Sequence, residues 1–180
     1  IGECSYEDFV QKYRFPAGEK WEFMDKETID NMKKITNWSD KLENYFQTLL
    51  QDQKKFIEYS DFNPNNAVYS PVHVGRLINT YISKFNITSG QPSNLHPIQA
   101  IDMIHNLLDT IRHKKKTRNL LFEIMIRHHL NPVIIIKKHY FTREAFQALC
   151  QNIVTKYIDS FVQPGEMVGA IAAQSIGEPA

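Results

Sequence analysis

Amphipathic helical periodicity restricts the fold of this chain more than any other feature, and it is clearest between residues 142 and 161. Apolar side chains recur there at the spacing of one helix face, namely Phe146, Leu149, Cys150, Ile153, Val154, Tyr157, Ile158 and Phe161. The outer face carries Gln147, Gln151, Asn152, Lys156 and Asp159. Thr142 suits an N-cap, and Glu144 lies in the first turn, where the helix dipole favours an acid. The pattern predicts a helix that packs on a core and is ended by Pro164-Gly165.

Four segments upstream show the same period, and together they predict a mainly α fold, a helical bundle-like domain. The first helix is expected to start at Ser39 as its N-cap and to end in the turn-forming stretch 61–66. The second is expected to start at Ser70-Pro71. Their inward faces are predicted to be Leu42, Tyr45, Phe46, Leu49, Leu50, Phe56 and Ile57 in the first, and Val74, Leu77, Ile78, Tyr81 and Ile82 in the second. The polar residues 51–55 are interpreted as the solvated side of the first helix.

The third and fourth helices follow a loop predicted at residues 90–97. One face of the third is predicted to consist of Ile98, Ile101, Leu108 and either Ile104 or His105. The fourth runs from about Lys116 to His129, is ended by Asn131-Pro132, and is predicted to bury Leu120, Leu121, Ile124 and Met125. The β-branched run 133–136 favours a strand by propensity, whereas a short helix capped by Asn131 fits equally well. We favour the helix.

The two ends of the chain differ from this helical region, which spans residues 26–162. Residues 1–25 are rich in aromatics but keep no sustained period, so an irregular lead-in is predicted. Residues 163–180 include a stretch, 166–176, that is small and apolar almost all round and is followed by Gly177 as the expected C-cap. Such a helix requires burial on several sides. We therefore expect a buried C-terminal helix whose neighbours belong to a larger assembly.

Composition narrows the class of protein further. Hydrophobic residues make up 42% and charged residues 23% of the chain, which is typical of a globular protein, and the net charge of +1 gives no global attraction to nucleic acid or membrane. No apolar run is long enough to span a bilayer, and the acidic start does not suit a signal peptide. Cys4 and Cys150 lack metal-ligand spacing, so free thiols in a reducing, intracellular compartment are expected. The absence of an initiator Met leads us to expect a segment of a longer chain.

The sequence predicts no catalytic residue, metal ligand or cofactor site. It contains no Asp-x-Asp pair, no phosphate-binding Gly-rich loop and no nucleophile elbow. The seven histidines show no ligand spacing, and the adjacent His128 and His129 are expected on different helix faces. Each histidine is interpreted as a surface or structural residue.

A short basic run is the strongest local electrostatic feature. It consists of Arg112, Lys114, Lys115, Lys116 and Arg118. A contact with phosphate or with a protein partner is one interpretation, and a solvated loop or helix start is the one we favour. No aromatic residue is interleaved for base stacking, which weakens the case for single-strand binding. This run defines an alternative function for the chain, as a free-standing helical module that binds nucleic acid or protein.

The C-terminal residues 163–180, QPGEMVGAIAAQSIGEPA, resemble a signature of the largest subunit of multisubunit DNA-directed RNA polymerases, PGExVGxxAAQSIGEP, and are closest to the eukaryotic type. Two upstream segments are similar to the same family more loosely: residues 71–78, PVHVGRLI, and residues 142–146, TREAF. The match is strong over about the last 40 residues, moderate around 71–82 and weak between them.

The resemblance implies a non-catalytic segment that forms the foot of the subunit and leads into its cleft. The trigger loop would follow Glu178-Pro179, and Gln174, Ser175, Gly177, Glu178 and Pro179 would anchor it. The aspartates that hold catalytic magnesium would lie upstream of residue 1. The implied partners are the rest of the subunit, the other polymerase subunits, and the DNA template and RNA, with no membrane.

The middle of the chain departs from the cellular pattern. It is rich in Ile, Asn and Lys, and aliphatic residues at 133–136 replace basic positions of the family. A large DNA virus with its own polymerase is a source consistent with these departures. The implied location is the nucleus for a cellular protein, and the host cytoplasm or the virion for a viral one.

Overall fold

The computed structural model describes residues 5–16, 21–62, 69–88, 90–115 and 119–177, and its regular structure is helical. The helices are α1 (Tyr6–Tyr13), α2 (Lys26–Lys33), α3 (Trp38–Phe62), α4 (Val74–Lys84), α5 (Pro97–Lys115), α6 (Leu120–His129), a π-helix (Ile134–Lys138), α7 (Arg143–Asp159) and α8 (Val168–Gly177). The described ranges contain no β-strand, only an isolated bridge between Met24 and Ser93. The predicted mainly α class is therefore confirmed. None of the described helices is both long and apolar enough to cross a membrane.

Helix α7 is at the centre of the packing. It lies against α5 and α4, while α3 packs on α6 and α5. The predicted apolar face is confirmed, since Phe146, Leu149 and Ile153 are fully buried. Thr142 caps the helix as predicted, because its hydroxyl accepts a hydrogen bond from the Ala145 amide.

The predicted end of α7 was wrong. The helix ends at Asp159, ahead of Pro164-Gly165. Ser160 ends it, because its hydroxyl donates to the carbonyl of Tyr157 at 2.7 Å and so satisfies an acceptor of the last turn.

The prediction of an irregular segment at 1–25 was wrong for the residues of α1. Ser5 caps this helix, since its hydroxyl accepts from the Asp8 amide, and Phe9 and Tyr13 are buried on one face. Two turns are too short to show a sustained period, which is why the pattern gave no signal. The lead-in is also tied to the core. The backbone of Ser93 holds it in place, because the Ser93 amide donates to the carbonyl of Phe23 and the Ser93 carbonyl accepts from the amide of Asp25.

Helices α3 and α4 start at residues other than those predicted. Ser39 lies inside α3, because Asn37 adopts a left-handed conformation (φ 61°) and its carbonyl already accepts from the Lys41 amide. At α4 the cap is His73, whose Nδ1 accepts from the Arg76 amide at 3.0 Å. Ser70, the predicted cap, instead bonds the backbone of Val72. A left-handed residue and a backbone hydrogen bond therefore set the start of α3, and side-chain-to-backbone bonds set the start of α4.

The ambiguous run 133–136 is helical, as favoured. Asn131 starts it, since its side-chain oxygen accepts from the Val133 amide at 2.7 Å. The chain then widens into the π-helix before Tyr140, which has a left-handed φ of 52°. The β-branched residues fit this short helix because Ile135 and Ile136 are fully buried.

Candidate interaction surfaces

The basic run does not form a free cationic patch in the part of the chain that is described. Arg112 makes a bidentate contact with Glu123, at 2.9 Å from Nε and 2.7 Å from Nη2, and a third contact with Asp109 at 3.1 Å. The hydrogen bonds that Arg112 donates to the Glu123 carboxylate raise the pKa of Arg112. Lys114 is exposed, whereas Lys116 and Arg118 lie outside the described residues, as does the side chain of Lys115. Arg112, the arginine of the run that lies on a described helix, is paired with Glu123 and Asp109 of the same chain. The structure therefore does not favour the alternative binding module.

A buried ion network joins α3 to α6. The guanidinium of Arg127 binds the carboxylate of Asp52 at 2.5 Å and 3.0 Å, and Asp52, Arg127 and Glu123 are all almost inaccessible to solvent. Glu123 lies 3.8 Å from Arg127 and carries the network on to Arg112. The prediction that residues 51–55 form a solvated side was therefore wrong at Asp52. A buried charge requires a partner of this kind, because it has lost its hydration.

The network also explains why the buried face of α6 was predicted wrongly. Leu120 is exposed, and Leu121 and Met125 are only half-buried, while Phe122, Glu123, Ile126 and Arg127 are buried beside the predicted Ile124. A hydrophobicity pattern assigns the charged Glu123 and Arg127 to the solvent-exposed face. The predicted buried face is therefore rotated about the helix axis relative to the observed one. The predicted start at Lys116 lies outside the described residues, and Asn119 caps the helix by accepting from the Phe122 amide. Since α6 packs on α3, α4 and α5, residues around most of its circumference are buried.

Helix α8 contrasts with the rest of the fold because every one of its residues is exposed. Its apolar side chains include Ile171, 50% exposed, and Ile176, 82% exposed. A Cβ added at Gly169 would meet no atom within 4 Å. The predicted buried C-terminal helix is thus a helix, but it is not buried against this chain.

The predicted trigger-loop anchor is only partly described. Gln174, Ser175 and Gly177 belong to α8, while Glu178 and Pro179 lie outside the described residues. Gly177 is the last helical residue rather than a left-handed cap, since its φ is not positive. The Ser175 hydroxyl donates to the carbonyl of Ile171 within the helix.

Four of the seven histidines meet in one place, which spacing alone did not reveal. They line a groove of about 610 Å³. We call this the histidine groove, and it is lined by His73, His128, His129, His139, Lys12, Arg76 and Lys138, together with Tyr13, Gly75, Ile78, Asn79 and Ile134. His128 and His129 both reach it, with ring centroids 5.8 Å apart, although they were predicted on different faces. Within the described residues, no group of histidines, cysteines or acids is arranged to hold a metal ion.

Comparison with known proteins places this helical domain in a family. The family model described as RNA polymerase Rpb1, domain 6 matches residues 1–160. DNA-directed RNA polymerase II subunits RPB1-A and RPB1-B of Trypanosoma brucei brucei are each 31% identical to the chain over 163 residues, which covers 78% of this chain and 9% of each relative. The chain thus spans only a small part of the length of these relatives. It belongs to the family of RNA polymerase Rpb1, domain 6.

Proposed function

We propose that the full-length protein is the largest subunit of a DNA-directed RNA polymerase of the polymerase II type. This segment is its foot, a non-catalytic scaffold. The observation that carries the proposal is the family match over residues 1–160, which is independent of the C-terminal signature at 163–180. Two separate parts of one chain thus point to the same subunit.

The second part of the proposal concerns α8, which anchors the trigger loop from inside the assembled enzyme. Residues Gln174, Ser175 and Gly177 form the end of this anchor, and Glu178 and Pro179 continue it. The exposure of its apolar residues supports the proposal, because exposed apolar surface marks a site of contact with another part of an assembly. The residues of α8 are small and apolar all round, so other elements can pack closely against it on several sides. Its neighbours are then other parts of the polymerase.

The proposal sets the context of the whole enzyme. The complete polymerase transfers nucleotides to RNA on a DNA template and uses magnesium held outside this segment. Its partners are the remaining subunits, DNA and RNA. We place it in the nucleus if the source is cellular, and in the host cytoplasm or virion if the source is a large DNA virus.

A deletion tests the scaffold role. The polymerase is assembled with and without residues 26–162, and subunit composition and RNA synthesis on a DNA template are measured. We expect the deletion to reduce assembly and, through it, RNA synthesis. Full assembly with undiminished synthesis would contradict the proposal.

The anchor role is tested by overpacking α8. Gly169→Leu and Ala172→Leu add bulk to surfaces that are open in the isolated chain. In the assembled polymerase we expect a cost of about 1–3 kcal/mol, the usual effect of overpacking a buried site. The same variants in the 180-residue chain are the control, and thermal unfolding there should not change. Equal stability in both settings would show that α8 is not buried in the assembly.

A further inference from the structure

The histidine groove collects titratable and cationic side chains from four elements. Helix α1 contributes Lys12 and Tyr13, and α4 contributes Arg76, with His73 as its cap. Helix α6 contributes His128 and His129, and the end of the π-helix contributes Lys138 and His139. Residues more than one hundred positions apart thus converge on one cavity.

The charges of the groove are not neutralised within the described part of the chain. No carboxylate lines it, and none of Lys12, Arg76 and Lys138 belongs to an ion pair there. Arg76 lies in the first turn of α4, where the helix dipole disfavours a cation. An anion from outside would satisfy this arrangement.

Two of the imidazoles are held in fixed orientations. The Nδ1 of His73 accepts from the Arg76 amide, which leaves the neutral ring with its proton on Nε2. The Nε2 of His128 lies 2.7 Å from the hydroxyl of Tyr13, whose ring packs against it at a centroid distance of 4.6 Å. The π-helix, a form found frequently at functional sites, sets the positions of Lys138 and His139. The groove is therefore built by the fold and not by long exposed side chains alone.

We propose that the histidine groove is a binding site for a phosphomonoester group, as carried by a phosphorylated peptide. Such a group has a charge of about −1.5 to −2 at neutral pH and three acceptor oxygens. Arg76, Lys12 and Lys138 supply the opposing charge, and the imidazole N–H groups supply further donors. Phosphate bound by several charged donors is held by strong, short hydrogen bonds.

The shape of the groove favours a phosphomonoester over a nucleic-acid strand. A strand requires cations along a track and exposed rings for base stacking. Here the cations line one cavity, and among its described lining residues the only aromatic ring besides the imidazoles, that of Tyr13, is 4% exposed. A single multiply charged group fits this arrangement better than a chain of singly charged ones.

Binding is coupled to proton uptake. Burial lowers the pKa of His128 to about 4, with further lowering from the positive charges of His129 and Lys12. Burial likewise lowers the pKa of His129 and of His139, helped by His73 and Lys138 respectively. A bound dianion reverses these electrostatic contributions, so it raises the three pKa values. The affinity for an anion whose own charge does not change must then rise as the pH falls.

The test uses the 180-residue chain and inorganic phosphate as the probe. Histidine ring signals are followed by NMR as phosphate is added, with chloride at equal ionic strength as the reference. Sulfate, which stays divalent across the range, is titrated at pH 5.5 and 7.5 to isolate protonation of the protein. The variant Arg76→Gln is compared with Arg143→Gln, which removes an exposed arginine from the first turn of a different helix.

We expect phosphate to shift the signals of the groove histidines, sulfate to bind more tightly at pH 5.5, and Arg76→Gln to weaken binding about tenfold, with Arg143→Gln unchanged. Lys138→Gln should give a similar loss, which guards against a folding defect in one variant. Phosphate binding no tighter than chloride would overturn the proposal, as would equal losses in Arg76→Gln and Arg143→Gln. A 5′-hydroxyl RNA oligonucleotide that binds the groove more tightly than phosphate at equal phosphate concentration would also overturn it, in favour of nucleic acid.

Discussion

Helices α7 and α8 are successive in the chain, and both are rich in apolar residues, but one is central to the core and the other is exposed throughout. Phe146 of α7 is fully buried, whereas Ile171 of α8 is half exposed. The apolar residues of α7 follow one stripe, so a few neighbours cover them. Those of α8 surround the helix and need neighbours on several sides. The comparison shows that the distribution of apolar residues around a helix, rather than their number, decides whether its own chain can bury it.

The largest effect is expected in the helical region 26–162, at the ion network. Arg127→Met removes the guanidinium from between Asp52 and Glu123 and leaves buried carboxylates without it. Breaking a buried pair on one side costs about 3–5 kcal/mol. Urea unfolding of the chain measures this loss. The matched control is Arg14→Met, which breaks an exposed pair with Glu43 and should cost less than about 1 kcal/mol. Similar losses for both variants would contradict the buried network.

A cavity in α7 is the next test. Leu149→Ala removes a fully buried side chain, and such substitutions cost about 2–5 kcal/mol. The change in the midpoint of urea unfolding, at constant slope, gives the value. If Leu149→Ala left the midpoint unchanged, α7 would not be the centre of the core.

Lowering the pH should reduce the stability of the helical region 26–162 and leave α8 unaffected. The pKa of His128 is about 4 in the folded chain and near 6.5 when unfolded, so the unfolded chain binds more protons between these values. The contribution of His128 to the free energy of unfolding is therefore fully present above about pH 6.5. It falls as the pH is lowered towards 4, by up to about 1.4 kcal/mol per pH unit. Residues 168–177 contain no titratable side chain.

Amide hydrogen exchange between pH 7 and pH 4.5, corrected for the intrinsic rate, distinguishes the two regions. The protection of α6 should decrease and that of α8 should stay constant. His128→Gln, which can still bond the hydroxyl of Tyr13, should reduce the pH dependence of stability. An unaltered dependence in that variant would assign the effect to other groups.

The smallest effect is expected in α8 itself. Ile171→Ala removes a side chain that is half exposed and should change the stability of the isolated chain by no more than about 0.5 kcal/mol. Thermal unfolding provides the measurement. A loss comparable to that of Leu149→Ala would show that α8 packs on this chain, and the contrast between the two helices would disappear.

Much of the fold could be predicted, because helical periodicity is a local signal. The faces of α4, α5 and α7 were predicted correctly, and at α5 the structure buries Ile104 rather than His105. The errors occur where a short-range bond decides a boundary, as at His73 of α4, or where a helix is too short to show a period, as in α1. At α6, burial of Glu123 and Arg127 displaced the predicted face by part of a turn.

The sequence by itself determined the helical class, the position of most helices and, through residues 163–180, the resemblance to polymerase largest subunits. Each of these depends on neighbours along the chain. Only the tertiary structure decided that Asp52 is paired with Arg127, 75 positions away, and that four histidines from three regions share one groove. The physical reason is that the free energy of a charged or titratable group depends on what surrounds it in space. A periodic pattern records where a side chain points along its own helix, but not which charge from another helix it meets.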